Sequence, residues 1–392
     1  MRLAFLCSSL EPGRDGVGDY TRRLAGELTR EGHASIAVAL NEAHLDKATR
    51  QQQEIEGVSI DVLRLPDTMT WSQRIVESAA FLRGHTPDWL SLQFVPFGFH
   101  PRGLCFGLGK SLATLAPGAP WQIMFHELWL GLGARASLKD RIWGRLQKGI
   151  ALDAVRRLEP AVVHTQAEPY RLALEAAGVK ATILPLFGNI PRQAGDGAEL
   201  IQSLLAKQCG AVPDRDQVYL AGVLGGVHRE WCAEDAVNIV LPLAQKSRKR
   251  LILVFLGRNH LSSESFDQLK ASVKGRAEVI VAGERPAEEI SRLLQCLDLG
   301  LATTPLEVIQ KSGSAAAMLD HGLSVLVTRN DWHLRGAETP VPVMDPRVLT
   351  PREFVNLKAL PRRQSMASVD NGVQSVAQEL LTSLRSENVV RA

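Results

Sequence analysis

Leu3-Ala4-Phe5-Leu6-Cys7, then Ser8-Ser9, then Pro12-Gly13-Arg14-Asp15-Gly16-Val17-Gly18 is the stretch whose reading decides the fold class. The apolar run has the length of a buried strand, and Pro12 and the glycines break it. Tyr20, Leu24 and Leu28 then recur on one face of a helix until Gly32-His33 stops it. Residues 36–40 follow as a second apolar strand. Strand, glycine loop, helix and strand make a βαβ unit of a parallel, doubly wound sheet.

The same alternation continues along the chain. Strands are expected at 58–63, 89–95, 122–125, 161–164 and 181–186, with helices at 74–83 and 138–158. Gly188-Asn189-Ile190-Pro191 and Ala194-Gly195-Asp196-Gly197 are turn-rich and polar, the composition of a linker. The pattern then restarts with strands at 218–223, 250–256, 278–282, 299–303 and 324–328 and helices at 233–246, 287–296, 314–321 and 373–384. The expected organisation is an α/β protein with two Rossmann-like domains facing across a cleft, the ligand lying between the carboxyl ends of their strands. Residues 1–190 form the first domain, 191–215 the linker region, 216–365 the second domain, and 366–392 a C-terminal helical segment.

Composition narrows the function. A chain of 392 residues suits two domains, and 45% apolar with 22% charged residues is the balance of a folded globular protein. Forty-five Lys and Arg against 42 Asp and Glu leave a net charge of +3, which excludes a generally basic nucleic-acid coat. Cys7, Cys105, Cys209, Cys232 and Cys296 are odd in number and far apart, so neither a zinc site nor a disulfide framework is expected. Reduced thiols, an N-terminal apolar run too short for a signal peptide and no run of about 20 apolar residues point to the cytoplasm.

Five places in the sequence carry functional signals. Gly16 and Gly18 open the first helix, where backbone and helix dipole can approach an anion, although a ligand-free turn has the same composition. The spacing is not GxGxxG and no acid is expected to close the second strand, which disfavours a dinucleotide cofactor. His126 follows the 122–125 strand, where an imidazole can meet a sugar hydroxyl or accept a proton; a packed histidine is the plainer alternative. His100 ends an aromatic loop that reads as part of a substrate cleft. Lys311, Ser312, Gly313 and Ser314 open the 314–321 helix, and a lysine, two hydroxyls and a glycine at a helix N-terminus suit a phosphate. Finally, Arg135, Lys139, Arg141, Arg145 and Lys148 share a helix with Leu138, Ile142, Leu146 and Ile150 on its other face. Such a helix can lie peripherally on an anionic membrane, and more often is a solvated surface helix with an inward apolar face.

These motifs resemble glycosyltransferase family 4, the retaining nucleotide-sugar transferases of the GT-B fold. The resemblance runs through Asp15-Gly16-Val17-Gly18-Asp19-Tyr20-Thr21, Phe125-His126-Glu127, Val162-Val163-His164-Thr165, Leu297-Asp298-Leu299-Gly300 and Ala317-Met318-Leu319-Asp320-His321-Gly322. It implies an acceptor-side first domain, a donor-side second domain and a final helix returning to the first. Two departures stand out. Aligned on Gly322, the family's two glutamates fall on Ile309 and Ala317, with Glu307 close enough to replace the first. The family's Arg and Lys after the first strand of the second domain fall in Gly222-Val223-Leu224-Gly225-Gly226-Val227-His228-Arg229, where Arg229 stands near the Lys position.

The reading that follows is a hexosyltransferase-type enzyme moving a sugar from a nucleoside-diphosphate sugar to an unknown acceptor (a saccharide, a lipid-linked or a small molecule), with retention, no metal and no cofactor. His126 and Glu307 would be catalytic; Gly16, Gly18, Arg229, Lys311, Ser312, Gly313 and Ser314 would hold the donor. The alternatives are a non-catalytic nucleotide-sugar-binding or partner subunit, which the departures favour, and a sugar-nucleotide epimerase.

Overall fold

The structure, a computed structural model, describes residues 1–392 except Asp196, Ala211, Val212, Glu338, 340–343 and Ala392. The chain divides into two compact units. Unit 1 is Met1–Leu186 with His333–Pro340 and Val373–Ala392; unit 2 is Phe187–Trp332 with Val341–Gly372. Asp196 of the turn-rich stretch, and Ala211 and Val212 of the linker region, lie outside the described residues.

Unit 1 contains β1 (Arg2–Cys7), α1 (Gly16–Arg30), β2 (Ala34–Glu42), β3 (Thr49–Ile55), β4 (Val58–Pro66), α2 (Trp71–His85), β5 (Trp89–Phe94), α3 (Pro96–Phe99), α4 (Leu108–Leu112), β6 (Trp121–Phe125), α5 (Leu138–Leu158), β7 (Val162–Thr165), α6 (Glu168–Glu175) and β8 (Thr182–Ile183). Its sheet runs β3-β4-β2-β1-β5-β6-β7-β8. Only the β3–β4 pair is antiparallel among the described strands of this sheet. β3 is polar (Thr-Arg-Gln-Gln-Gln-Glu-Ile) and its pattern does not read as a strand; it forms as an edge partner closed by Glu56-Gly57, both at positive φ. That is the two-residue hairpin turn that matches sheet twist. Leu3 to Cys7 are buried, and Tyr20, Leu24 and Leu28 of α1 pack inward as the spacing predicts.

Unit 2 contains α7 (Ala198–Cys209), β9 (Val218–Leu224), α8 (Ala233–Lys246), β10 (Arg250–Leu256), α9 (Ser263–Val273), β11 (Glu278–Gly283), α10 (Ala287–Cys296), β12 (Leu299–Ala302), a 3₁₀ turn (Leu306–Lys311), α11 (Gly313–Asp320), β13 (Ser324–Val327), β14 (Val348–Leu349) and α12 (Pro351–Val355). A last helix, α13, spans Gly372–Arg391, and from Val373 onward it groups with unit 1. The unit 2 sheet is parallel, in the order β11-β10-β9-β12-β13-β14. α7 falls within the stretch read as linker: Ile201, Leu204 and Leu205 bury against Ile290, Leu293 and Ile280, so much of that stretch is part of the unit 2 core.

The long helix α5 departs from expectation in its facing. Its buried residues include Gly144, Gln147, Ala151 and Ala154, with Ile150 the one large apolar side chain of the predicted stripe that turns inward. A Cβ on Gly144 would collide with the Leu130 carbonyl, so close backbone approach selects the small-residue face. Leu138, Ile142 and Leu146 face outward.

Candidate functional site

In an open parallel sheet the crevice for a ligand lies where strand order reverses, outside the carboxyl ends. In unit 2 that point is between β9 and β12, since β10 and β11 lie to one side of β9 and β12, β13 and β14 to the other. The residues leaving β9 are Gly225 and Gly226; those leaving β12 are Thr303 and Thr304. Thr303 Oγ1 donates to the Gly226 carbonyl (3.1 Å), and Thr304 Oγ1 donates to Ser312 Oγ (3.2 Å). Ser312 caps α11, accepting from Ala315 N at 3.3 Å. The N–H groups of Gly313 and Ser314 have no intrahelical acceptor, as in any first helical turn.

Gly225 has φ +74°, and a Cβ built on it would lie 3.5 Å from Ser314 Oγ. A Cβ on Gly313 would meet nothing within 4 Å. The β9 turn and the start of α11 therefore approach one another at Gly225 and the Ser314 hydroxyl, with the His260 ring against Gly226. Such a cradle suits an anion, because backbone N–H groups, hydroxyls and the positive end of the helix dipole converge. Lys311 ends the 3₁₀ turn immediately before Ser312, with Glu307 in its first turn. Of the predicted donor residues, Lys311, Ser312, Gly313 and Ser314 thus come together here.

Arg229 does not join them. Its side chain is 88% exposed and its guanidinium is 4.0 Å from Glu230. The cation that the fold buries at this edge is Arg329, only 6% exposed, which the sequence analysis missed. It donates to the Thr303 carbonyl (3.2 Å), to Glu230 (2.8 Å) and to Asp331 (2.6 Å). Its position just beyond the carboxyl end of β13 was the available signal. Burial, and then Arg329, holds the His228 imidazole below its ordinary pKa.

In unit 1 the glycine loop serves its own fold. Asp15 caps α1, accepting from Gly18 N (2.6 Å), and Asp19 accepts from Gly13 N (3.0 Å). Burial raises both carboxyls above their ordinary pKa, against the hydrogen bonds that lower it. A Cβ on Gly18 would collide with the Ser9 carbonyl, so the close approach that Gly18 permits is to its own chain. Gly16 is the first residue of α1, beside these carboxylates, where a phosphate would meet like charge.

An acid does close the second strand, contrary to expectation. Glu42 is fully buried at the end of β2, where it accepts from Ser9 Oγ (2.7 Å), Leu10 N (3.0 Å) and Arg64 Nε (3.0 Å). Its oxygens are used in tying the β1 loop down. Phe99 and His100 likewise belong to packing: Phe99 is buried, and His100 Nδ1 accepts from Arg102 N at 3.1 Å.

His126 belongs to a buried chain of hydrogen bonds with a single direction. Gln166 Nε2 donates to His126 Nδ1 (3.0 Å), and His126 Nε2 to Gln93 Oε1 (2.8 Å). Gln93 Nε2 donates to Ser91 Oγ (2.7 Å), and Ser91 Oγ to Gln122 Oε1 (2.5 Å). Gln122 Nε2 donates to His164 Nδ1 (3.1 Å), and His164 Nε2 to Ser383 Oγ of α13 (3.3 Å). Both imidazoles are thereby Nε2–H tautomers. Burial pushes His126 down to about 3 and His164 down to about 4, so each is neutral at pH 7. His126, with both ring nitrogens engaged and Tyr20 edge-on at 4.8 Å, sits as a packed residue.

Among the described residues no group of three or more His, Cys, Asp or Glu could hold a metal ion, and no helix is long and apolar enough to cross a membrane. No family model and no curated protein matches this sequence. Solved structures do match in fold. Anabaena Alr3699/HepE in complex with UDP and glucose is 13% identical, with 100% of both chains covered and a TM-score of 0.53. The E. coli trehalose-6-phosphate protein bound with UDP-2-fluoro glucose is 10% identical over 99% of this chain and 96% of that one, TM-score 0.54. The catalytic domain of starch synthase IV from Arabidopsis thaliana, bound to ADP and acarbose, is 12% identical over 99% of each chain, TM-score 0.53. With two α/β units of parallel-rich sheet and a C-terminal helix, this chain shares the GT-B fold of these structures.

Proposed function

We propose that this chain is a glycosyltransferase of the family 4 type, which binds a nucleoside-diphosphate sugar at the carboxyl edge of unit 2 and passes the sugar to an acceptor. The observation that carries this reading is the cradle of Gly225-Gly226, Thr303-Thr304 and Ser312-Gly313-Ser314 at the point where strand order reverses. Breaking an anomeric carbon–phosphate bond leaves charge on the diphosphate, and fixed dipoles and a cation aimed at it lower the barrier. Lys311 and the first-turn N–H groups of α11 supply them, which makes a metal unnecessary in this scheme. Glu307 faces the donor sugar in this reading, and transfer proceeds with retention, as family 4 resemblance implies. The two nucleotides carried by the structural neighbours, UDP and ADP, are the first ligands to try.

Calorimetric titration of wild type and Lys311→Ala with UDP, ADP and their glucose conjugates, followed by donor hydrolysis, tests this. Saturable binding of one nucleotide, weakened in the variant, supports the site; Glu307→Gln should weaken the sugar conjugate more than the free diphosphate. Absence of binding to every nucleotide contradicts it.

A second reading rests on Ile309 and Ala317, which stand where family 4 carries its glutamates and are 4% and 1% exposed. Both are built into the core, as in a binding subunit that has lost turnover. Nucleotide-sugar binding without hydrolysis or transfer, across a panel of acceptors, would select it.

A further inference from the structure

We propose that the outward face of α5 docks this chain on an anionic bilayer surface. Leu138, Ile142 and Leu146 follow one another at four-residue spacing and are 73%, 52% and 46% exposed. At 100° per residue they form one stripe along the first three turns. Arg145 and Arg141 border it on one side and Lys139 on the other. Residues 135–148 carry five Lys or Arg and a single acid, Asp140, which is bonded to the Ser137 hydroxyl at the helix cap. Its neighbouring loop is fastened to the same helix, the Arg102 carbonyl accepting from Trp143 Nε1 (3.0 Å) and Gln147 Nε2 (3.1 Å). That loop presents Phe106, which is 67% exposed.

Aliphatic side chains that face water while glycine and alanine face the core are the reverse of a solvated amphipathic helix. The inversion has a steric cause, the close backbone approach at Gly144, so it is a fixed property of the helix. A stripe three side chains long suits the shallow headgroup–acyl boundary, and long cations beside it reach lipid phosphates while their stems stay apolar. The charge selects the occupant: no acid lies on this face over the first three turns, and Asp153 further along it is paired with Arg156 and Arg157, so a negatively charged surface is its complement. Each cation near such a surface strengthens binding by about fivefold.

The test is co-sedimentation of the full chain with vesicles of equal parts phosphatidylglycerol and phosphatidylcholine, and with phosphatidylcholine alone. We expect wild type to pellet with the anionic vesicles only and to be released by about 0.5 M salt. Lys139→Glu/Arg145→Glu and Leu138→Ser/Ile142→Ser/Leu146→Ser should each lower the partition at least tenfold, with unchanged far-UV circular dichroism. Wild type remaining in the supernatant, or variants that partition like wild type, would overturn the proposal. So would sedimentation equilibrium showing a wild-type dimer that the triple serine variant dissolves, since the stripe would then be a self-contact. These outcomes are independent of nucleotide binding by unit 2, which the titrations above read separately.

Discussion

Lys311 was expected to hold the donor phosphate and His126 to act at the sugar, and the two stand in different surroundings. Lys311 stands in the chain immediately before the cradle of hydroxyls and glycine; one charge-assisted bond to a diphosphate is worth about 1.5–3 kcal/mol, or roughly 10- to 150-fold. Lys311→Ala should weaken nucleoside-diphosphate affinity within that range, by less at high salt where screening already reduces the attraction. His126 is engaged at both nitrogens by buried amides. His126→Ala should leave Gln93 and Gln166 short of partners at about 1–3 kcal/mol each, lowering the melting temperature while nucleotide affinity per folded molecule stays the same. A tenfold fall in turnover with intact folding would instead return His126 to the sugar. No residue pattern separates these cases in advance, because a histidine after a strand reads alike whether its neighbours in space are amides or open water.

At the scale of elements, small residues carry more of the account than charged ones. Gly18 opens α1 against the Ser9 carbonyl, and Gly18→Ala should cost about 1–3 kcal/mol in urea titrations through overpacking. Ala317 of α11 is 1% exposed, and a Cβ on Gly188 would collide with it. Ala317→Glu, which restores the family residue, should therefore bury an unpaired charge and destabilise by about 3 kcal/mol or more without restoring activity. Apart from β3 and β14, the strands of both sheets and helices α8 and α10 were legible because their apolar runs agree with the parallel-sheet pattern. β3 was not, since a polar edge strand has no buried period; its signal was the Glu56-Gly57 turn. α5 was legible as a helix but not in its facing, which Gly144 decides through backbone contact that a hydrophobic count ignores. Arg329 escaped because a lone arginine after a strand acquires meaning only when Thr303, Glu230 and Asp331 surround it.

For the molecule as a whole, pH reports on the buried chain between His126 and His164. Both imidazoles are held neutral, at about 3 and about 4, against 6.5 in an unfolded chain. Below pH 6.5 the unfolded state gains protons that the folded state refuses. Stability from this source is complete above pH 6.5 and is lost as pH falls toward about 4 and 3, by up to about 1.4 kcal/mol per unit for each histidine. The raised carboxyls of Asp15 and Asp19 act in the opposite sense, nearer the carboxylate range. Urea midpoints should therefore fall between pH 7 and pH 5, and less steeply in His164→Gln; a flat profile would contradict the buried-neutral assignment. The most direct test of the central claim, a nucleotide site at the carboxyl edge of unit 2, is amide hydrogen exchange with and without saturating UDP or ADP. Slowed exchange concentrated at 225–226, 303–304 and 312–316 is the predicted result. Protection confined to the 8–18 loop of unit 1, or none with either nucleotide, would contradict it.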